Sequence, residues 1–334
     1  MSFSENKQDN EGSLENTIKN ISLLTKFFKA RLNIGYIAIP YSILGFLIHW
    51  SLQGFQLDLF TNDAWWRFVF ASIIAFTYMP YVFIMNDYYD APFDALDEKK
   101  RLRNPFCFEE IKNRKNLRLI LLVPAIISLI LGFLISWQAG VITIIALLLG
   151  NFYSARPFRF KERPFLDFFV HGFSLGVFFF SLGFYSFWRN AYEPFLDPIF
   201  LLILLFTFMD AAWIHIDSAI LDYATDKKSN QNTTVVFLGP KYTIILLKLM
   251  LLTLLTSPAV FILLNNPLIN KFGMEIVIIL AILILILPLS YIIMSWGGEN
   301  KYEHIRHISS RYRLYSVYFL SIFFILLSNP NFFI

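Results

Sequence analysis

About twenty apolar residues running up to Met85 stop at Asn86-Asp87-Tyr88-Tyr89-Asp90-Ala91-Pro92-Phe93-Asp94, behind which stand Asp97, Glu98, Lys99, Lys100, Arg101 and Arg103. A run of that length crosses a bilayer as a helix, so a block of carboxylates and then a block of cations sit at the mouth of a membrane span. If the helix continues, Asn86, Asp90 and Asp94 fall at i, i+4 and i+8 and Asp87 joins them, which makes one acidic face. Like charges so arranged repel unless a cation sits among them. Hard carboxylate oxygens beside an amide oxygen suit Mg2+, which keeps some of its waters and shares the rest of its shell with phosphate oxygens. A solvated loop outside the membrane is the plainer reading of such a block. It fits poorly with Asn86, Asp87 and Asp90 so close to the apolar run, because intramembrane carboxylates are expensive and functional by default.

A second stretch answers the first. Asp222-Tyr223-Ala224-Thr225-Asp226-Lys227-Lys228 also closes a long apolar run, its carboxylates are again four apart, and Asp217 lies five residues upstream. Two acidic faces at the ends of two helices have the donors for two metal ions with one diphosphate between them.

With 57% hydrophobic and 16% charged residues the chain falls outside the range of soluble domains. Taking about 20 apolar residues per span, the sequence predicts spans near 33–52, 66–86, 118–136, 140–155, 167–187, 197–221, 241–264, 273–294 and 313–332. The third and fourth share one apolar run, divided here at Gln138-Ala139-Gly140. The predicted fold is an all-α membrane protein. It has nine transmembrane helices around a central cavity, capped on the cytoplasmic side by the loops after spans 2 and 6. Residues 1–32 form an N-terminal segment with an amphipathic helix (Ile21, Leu24, Phe27 and Phe28 on one face) and 33–334 a single domain. The polar leader predicts no cleavable signal peptide.

Of 28 basic residues only Arg67, Arg189 and Lys271 fall on the side opposite the N-terminus. The positive-inside rule then puts the N-terminus and both acidic motifs in the cytoplasm. A net charge of +4 gives no case for nucleic acid, and Cys107, the single cysteine, excludes a disulfide or a cysteine metal site within the chain.

On that same side the loop after span 2 carries Arg103, and the loop after span 4 carries Tyr153, Ser154, Arg156, Arg159, Lys161 and Arg163. Arg103 and Lys161 are the candidate diphosphate ligands, the first as a planar fork and the second as a compact charge. His215 precedes the second motif, with Asp217 as its expected partner. Tyr88, Tyr89 and Trp213 read as interfacial aromatics.

Together these residues resemble the UbiA-type intramembrane prenyltransferases, which have nine membrane helices and the patterns N-D-x-x-D-x-x-x-D and D-x-x-x-D after helices 2 and 6. Asn86, Asp87, Asp90 and Asp94 match the first pattern and Asp222 and Asp226 the second, with Thr233, Thr234 and Leu238-Gly239 matching the region that trails it. The likeness runs from about residue 20 to the end. Tyr153-Ser154-Ala155-Arg156-Pro157 with Lys161 is similar to a loop of the branch that includes lycopene elongases and chlorophyll synthases. His215 to Asp222 is similar to the H-x-x-S-A-I-x-D of the lycopene elongase group. Two departures stand out: Arg103-Asn104-Pro105 in place of Arg-Pro, and no glycine in Lys227–Asn232.

The resemblance implies an Mg2+-dependent transfer of a prenyl group from a polyprenyl diphosphate to an apolar, lipid-soluble acceptor such as the carotenoid lycopene. Two Mg2+ ions are expected on Asn86, Asp87, Asp90, Asp94, Asp222 and Asp226. Arg103, Lys161, Tyr153 and Asn86 bind diphosphate, and Asp90, Asp94, Asp217 and Asp222 serve catalysis, with Asp217 the candidate base. An acceptor of the digeranylgeranylglyceryl phosphate synthase kind, a quinone precursor, and terpene cyclisation stay open. Outside enzymes a cation-coupled transporter does too, since intramembrane aspartates also mark ion pathways.

Overall fold

The computed structural model describes residues 31, 34–50, 62–96, 98–108, 117–187 and 198–264, with a few positions between 273 and 282. The predicted spans at 273–294 and 313–332 and the amphipathic N-terminal segment lie largely or wholly outside the described residues. Within them the chain is helical: α1 (Ile34–Trp50), α2 (Asn62–Asp94), the short α3 (Glu98–Arg103), α4 (Leu117–Ile135), α5 (Trp137–Ser154), α6 (Leu166–Tyr185), α7 (Pro198–Lys228) and α8 (Thr234–Leu264). Helix is the form lipid allows an open chain, because each backbone group finds its partner within the segment. Five of the described helices (α2, α5, α6, α7 and α8) contain a stretch long and apolar enough to cross a membrane.

The first predicted spans match α1 and α2, but α2 runs on through the whole acidic motif to Asp94, past Pro80 and Pro92. Its 33 residues span about 50 Å at 1.5 Å each, against roughly 30 Å of hydrocarbon. The motif is therefore held on a rigid overhang. The break between α4 and α5 falls at Ser136, not at Gln138-Ala139-Gly140. Ser136 is extended and its Oγ accepts from Ala139 N–H at 3.1 Å, capping α5. Gly140 sits inside α5, where a Cβ would come within 2.4 Å of the Phe133 ring. Its role is close packing, not turning. In α8 Gly239 breaks the helix at φ 74, so the long transmembrane rod restarts at Pro240.

α6 is the central helix, with 72% of its apolar window buried against 33% for α5. Phe178, Phe179, Phe180, Leu182 and Phe184 are all under 2% exposed, as expected of a helix apolar on every side. α2, α4 and α5 pack as one group, α7 and α8 as another, and α6 touches both. Glycines set the crossings. A Cβ on Gly183 would lie 1.8 Å from the Ser42 carbonyl oxygen, one on Gly45 2.0 Å from that of Phe180, and one on Gly176 2.1 Å from that of Thr207. Without a hydrophobic force between helices in lipid, such backbone approach is what holds them. Between Gly172 and Val177 α6 widens to a π-helical turn. Such turns are frequent at functional sites, and this one adjoins the cavity.

Candidate active site

α2, α5, α6 and α7 enclose a cavity of about 320 Å³, within the usual range for small-molecule sites of roughly 300–1,000 Å³. Its polar end is lined by Asn86, Asp90, Tyr153, Lys161, Asp222 and Asp226, and its apolar depth by Tyr78, Met79, Val82, Phe83 and Leu175. The two acidic motifs thus meet on one cavity, with a cation between them and an apolar wall behind.

Each of the four members of the first motif has a partner from elsewhere in the chain, and Lys161 and Asn104 each serve two of them. Asn86 Oδ1 accepts from Ser154 Oγ at 2.7 Å and from Lys161 Nζ at 3.1 Å. Asp90 is clamped by Lys161 and by Arg159 Nη2 at 3.2 Å. Asp87 turns away from the cavity to Arg31, 2.6 Å distant. Asp94 accepts from Asn104 Nδ2 at 2.8 Å. That same Nδ2 reaches the Asp87 carbonyl at 2.7 Å, and Asn104 Oδ1 caps the Pro105–Cys107 turn by accepting from Phe106 N–H. The asparagine that interrupts the Arg-Pro pair is therefore the clip that holds the following loop to the end of α2. Arg103, beside it, is exposed and does not line the cavity.

Lys161 reaches Asp90 from a tightly turned loop. Arg159 and Phe165 on either side of it adopt positive φ of 41° and 70°, a conformation that costs non-glycine residues about 1–3 kcal/mol. Interactions of Arg159 offset that cost: an ion pair to Glu162 at 2.6 Å, one to Asp90, and the face of Phe93 4.5 Å from its Cζ. Burial pushes the Lys161 ammonium below its usual range, and the Asp90 carboxylate draws it back up.

On α7 the stripe His215, Ser218, Ala219, Asp222 and Asp226 faces the cavity. Asp217 is buried but does not line it. Two residues of helix turn Asp217 about 200° away from His215, so the expected pairing fails. The carboxylate beside His215 is Asp167 of α6, at 3.8 Å. Asp167 is fully buried and accepts from Thr234 N–H at 2.8 Å and from Thr234 Oγ1, latching the start of α8 to the start of α6. Arg159 was one loop cation among several in the sequence, and Asp167 and His171 drew no notice there. The signal was present for Asp167 and His171, since both are ionisable residues inside an apolar run.

No group of three or more His, Cys, Asp or Glu side chains close enough to hold a metal ion forms among the described residues. The donor set still fits Mg2+. An amide oxygen and a carboxylate from α2 face two carboxylates from α7, and Mg2+ is usually bound by one or two carboxylates with water and substrate phosphate completing its shell.

The sequence profile of the UbiA prenyltransferase family matches residues 11–306. No curated protein matches the chain. Among solved structures, a UbiA homolog from Archaeoglobus fulgidus bound to GPP and Mg2+ aligns with a TM-score of 0.57 at 23% identity, covering 90% of this chain and 99% of that one. A digeranylgeranylglyceryl phosphate synthase structure aligns at 0.57 with 14% identity, covering 91% and 98%. An apo UbiA homolog from Aeropyrum pernix K1 aligns at 0.53 with 14% identity, covering 89% and 96%. At these identities the likeness is one of fold.

Proposed function

Because the chain belongs to the UbiA prenyltransferase family, we propose that it moves a prenyl group from a prenyl diphosphate to an apolar acceptor within the membrane. The observation that carries this reading is the single cavity onto which Asn86, Asp90, Lys161, Asp222 and Asp226 converge above an apolar lining. Two Mg2+ ions would be held by Asn86 and Asp90 on one side and Asp222 and Asp226 on the other. When bound they supply positive charge against the leaving diphosphate.

Lys161 and Arg159 now neutralise Asp90, and in this reading they turn part of that charge to the diphosphate oxygens. Lys161, in the cavity lining, is better placed for it than Arg103, and Arg159 stands behind it on Asp90. Tyr153, half-buried at the same mouth, has a hydroxyl to offer the same group. Asp87 and Asp94 act at one remove, holding Arg31 and Asn104 and so the shape of the motif. The apolar depth takes the prenyl tail and keeps water from the allylic cation. The charge asymmetry of the sequence supports a cytoplasmic N-terminus and cytoplasmic motifs, with residues 1–32 as a leader to one domain, 33–334.

For the acceptor, the loop at Tyr153–Lys161 and the stretch His215–Asp222 support a long apolar molecule of the lycopene kind. The test is incubation of the purified full chain, in lipid, with Mg2+ and dimethylallyl or geranylgeranyl diphosphate. Lycopene, geranylgeranylglyceryl phosphate and aromatic acceptors are added in turn, and products are identified by mass. Transfer to lycopene is expected. Transfer only to the glyceryl phosphate or the aromatic ring removes the carotenoid assignment, diphosphate release without any acceptor points to cyclisation or hydrolysis, and no release at all favours transport.

A further inference from the structure

Below the acidic mouth of the cavity lies a cluster that donor binding leaves unexplained. His171 of α6 and His215 of α7 stack at 4.9 Å between centroids with 27° between planes, and Tyr153 stands edge-on to His215 at 6.2 Å. Both histidines line the cavity. Asp167 Oδ2 lies 3.8 Å from His215 Nε2, and that nitrogen has no hydrogen bond among the described residues. Asp167 itself cannot turn away, because Thr234 N–H, Thr234 Oγ1 and Phe168 N–H all donate to it. His215 shares a helix face with Asp222 seven residues on, which sets it about 10 Å deeper.

We propose that His215 is the base that takes the proton lost when the new carbon–carbon bond forms, an inference that rests on the prenyl-transfer reading. The titratable groups of the lining are few. Asp90 is paired with Lys161 and Arg159, Asp222 and Asp226 are the metal ligands of the prenyl-transfer reading, Lys161 is itself a cation, and tyrosine keeps its proton near neutral pH. An imidazole is the side chain left in the lining that can serve as a base, and of the two His215 has the fixed carboxylate behind it and the metal motif on its own face. Asp217 lies outside the lining.

In the step, the donor C1–O bond breaks with its electron pair leaving on diphosphate, and a π pair of the acceptor forms the bond to C1. The acceptor cation then loses a C–H proton to a ring nitrogen of His215, and the C–H pair becomes the new double bond. Asp167 stabilises the imidazolium, which gives its proton to water as the site reopens.

The experiment uses the full chain in lipid nanodiscs, dimethylallyl diphosphate with Mg2+, and whichever acceptor of the panel the wild type prenylates. For His215→Gln, transfer is expected to fall at least about 100-fold while donor Kd stays within about threefold, since general bases contribute roughly 10²–10⁴ in rate. His215→Gly, which leaves a gap, is expected to regain about tenfold of its lost rate on adding imidazole. For Asp167→Asn, kcat should fall with donor KM unchanged. Wild-type-like transfer by His215→Gln, loss of its donor binding, or a donor-binding His215→Gly that imidazole does not rescue each overturns the base role. A wild type that transfers to nothing overturns the prenyl-transfer reading and this inference with it, and shows itself before any variant is made.

Discussion

At the end of α2 every acidic side chain has a partner from elsewhere in the chain: Asp87 meets Arg31, Asp90 meets Lys161 and Arg159, and Asp94 meets Asn104. At the end of α7, Asp222 is exposed and Asp226 half-buried, and neither carboxylate takes a hydrogen bond or ion pair among the described residues. The same residue type at the same spacing has thus been built into two different devices. The first is neutralised in advance and belongs to the fold; the second is left open for what arrives. Carboxylates repel one another in both motifs, but only in the first do cations within ion-pair distance answer them directly.

That contrast sets the largest expected effects. Asp90→Ala and Asp222→Ala should each lower transfer to under about a tenth of wild type, at least ~1.4 kcal/mol in barrier. Only Asp90→Ala should also lower the unfolding temperature in detergent. It strands the side chains of Arg159 and Lys161, 6% and 10% exposed, and removing one partner of a buried pair costs about 3–5 kcal/mol. Asp222→Ala should leave stability within about 0.5 kcal/mol, as surface changes do. Equal stability losses would mean that α7's carboxylates are also part of the fold.

Metal dependence probes the same contrast more finely. Chelation with EDTA should stop turnover, and Mg2+ or Mn2+ should restore it. Asp226→Asn should then raise the Mg2+ needed for half-activity about tenfold, whereas Asp94→Asn should raise it threefold or less, because Asp94 is engaged with Asn104. Full turnover after exhaustive chelation would remove the two-metal scheme. A larger shift for Asp94→Asn would make the first motif as open to metal as the second.

The Asn104 clip should matter less. Asn104→Ala removes the bonds to Asp94 and the Asp87 carbonyl and the cap on Phe106 N–H. The expected loss is about 1–3 kcal/mol of stability, from buried polar groups left unmade. Restoring donor function with Asn104→Gln should not recover it, since the cap needs the shorter side chain. An unchanged melting curve for Asn104→Ala would show that the end of α2 holds its shape unaided.

Residue order displayed the elements whose signal is local and hid those made across distance. The spans were legible because apolar length is a property of one segment, and the acidic faces because helical spacing is. Lys161 meets Asp90 across 71 positions and Thr234 meets Asp167 across 67, and no periodicity announces such a pairing. The α4–α5 break was misplaced by two residues because glycine reads as a turn. Here serine's capping hydroxyl decided it, and Gly140 was needed for contact with Phe133. His215 lines the cavity, but the carboxylate beside it is Asp167, since sequence proximity favours Asp217 where helix geometry turns that residue to another face.

The smallest effect is expected where the first motif comes nearest to behaving like the second. Arg31 lies just ahead of α1 and reaches Asp87 across 56 positions, yet its side chain is 31% exposed against 6% for Arg159. The Arg31 end is open to water and screened although the Asp87 side chain is only 11% exposed, which puts the bridge near the upper end of the roughly 0–1 kcal/mol of exposed pairs. Arg31→Ala should therefore shift the melting temperature slightly, leave transfer within about twofold of wild type, and make what loss there is insensitive to added salt, which already weakens the pair in the wild type. The measurement is a salt series of melting curves for both proteins, with transfer assayed at the same points. A loss of transfer beyond about tenfold, ~1.4 kcal/mol, would show that Asp87 depends on Arg31 as Asp90 does on its buried cations. The rim of the first motif would then be part of the same clamp.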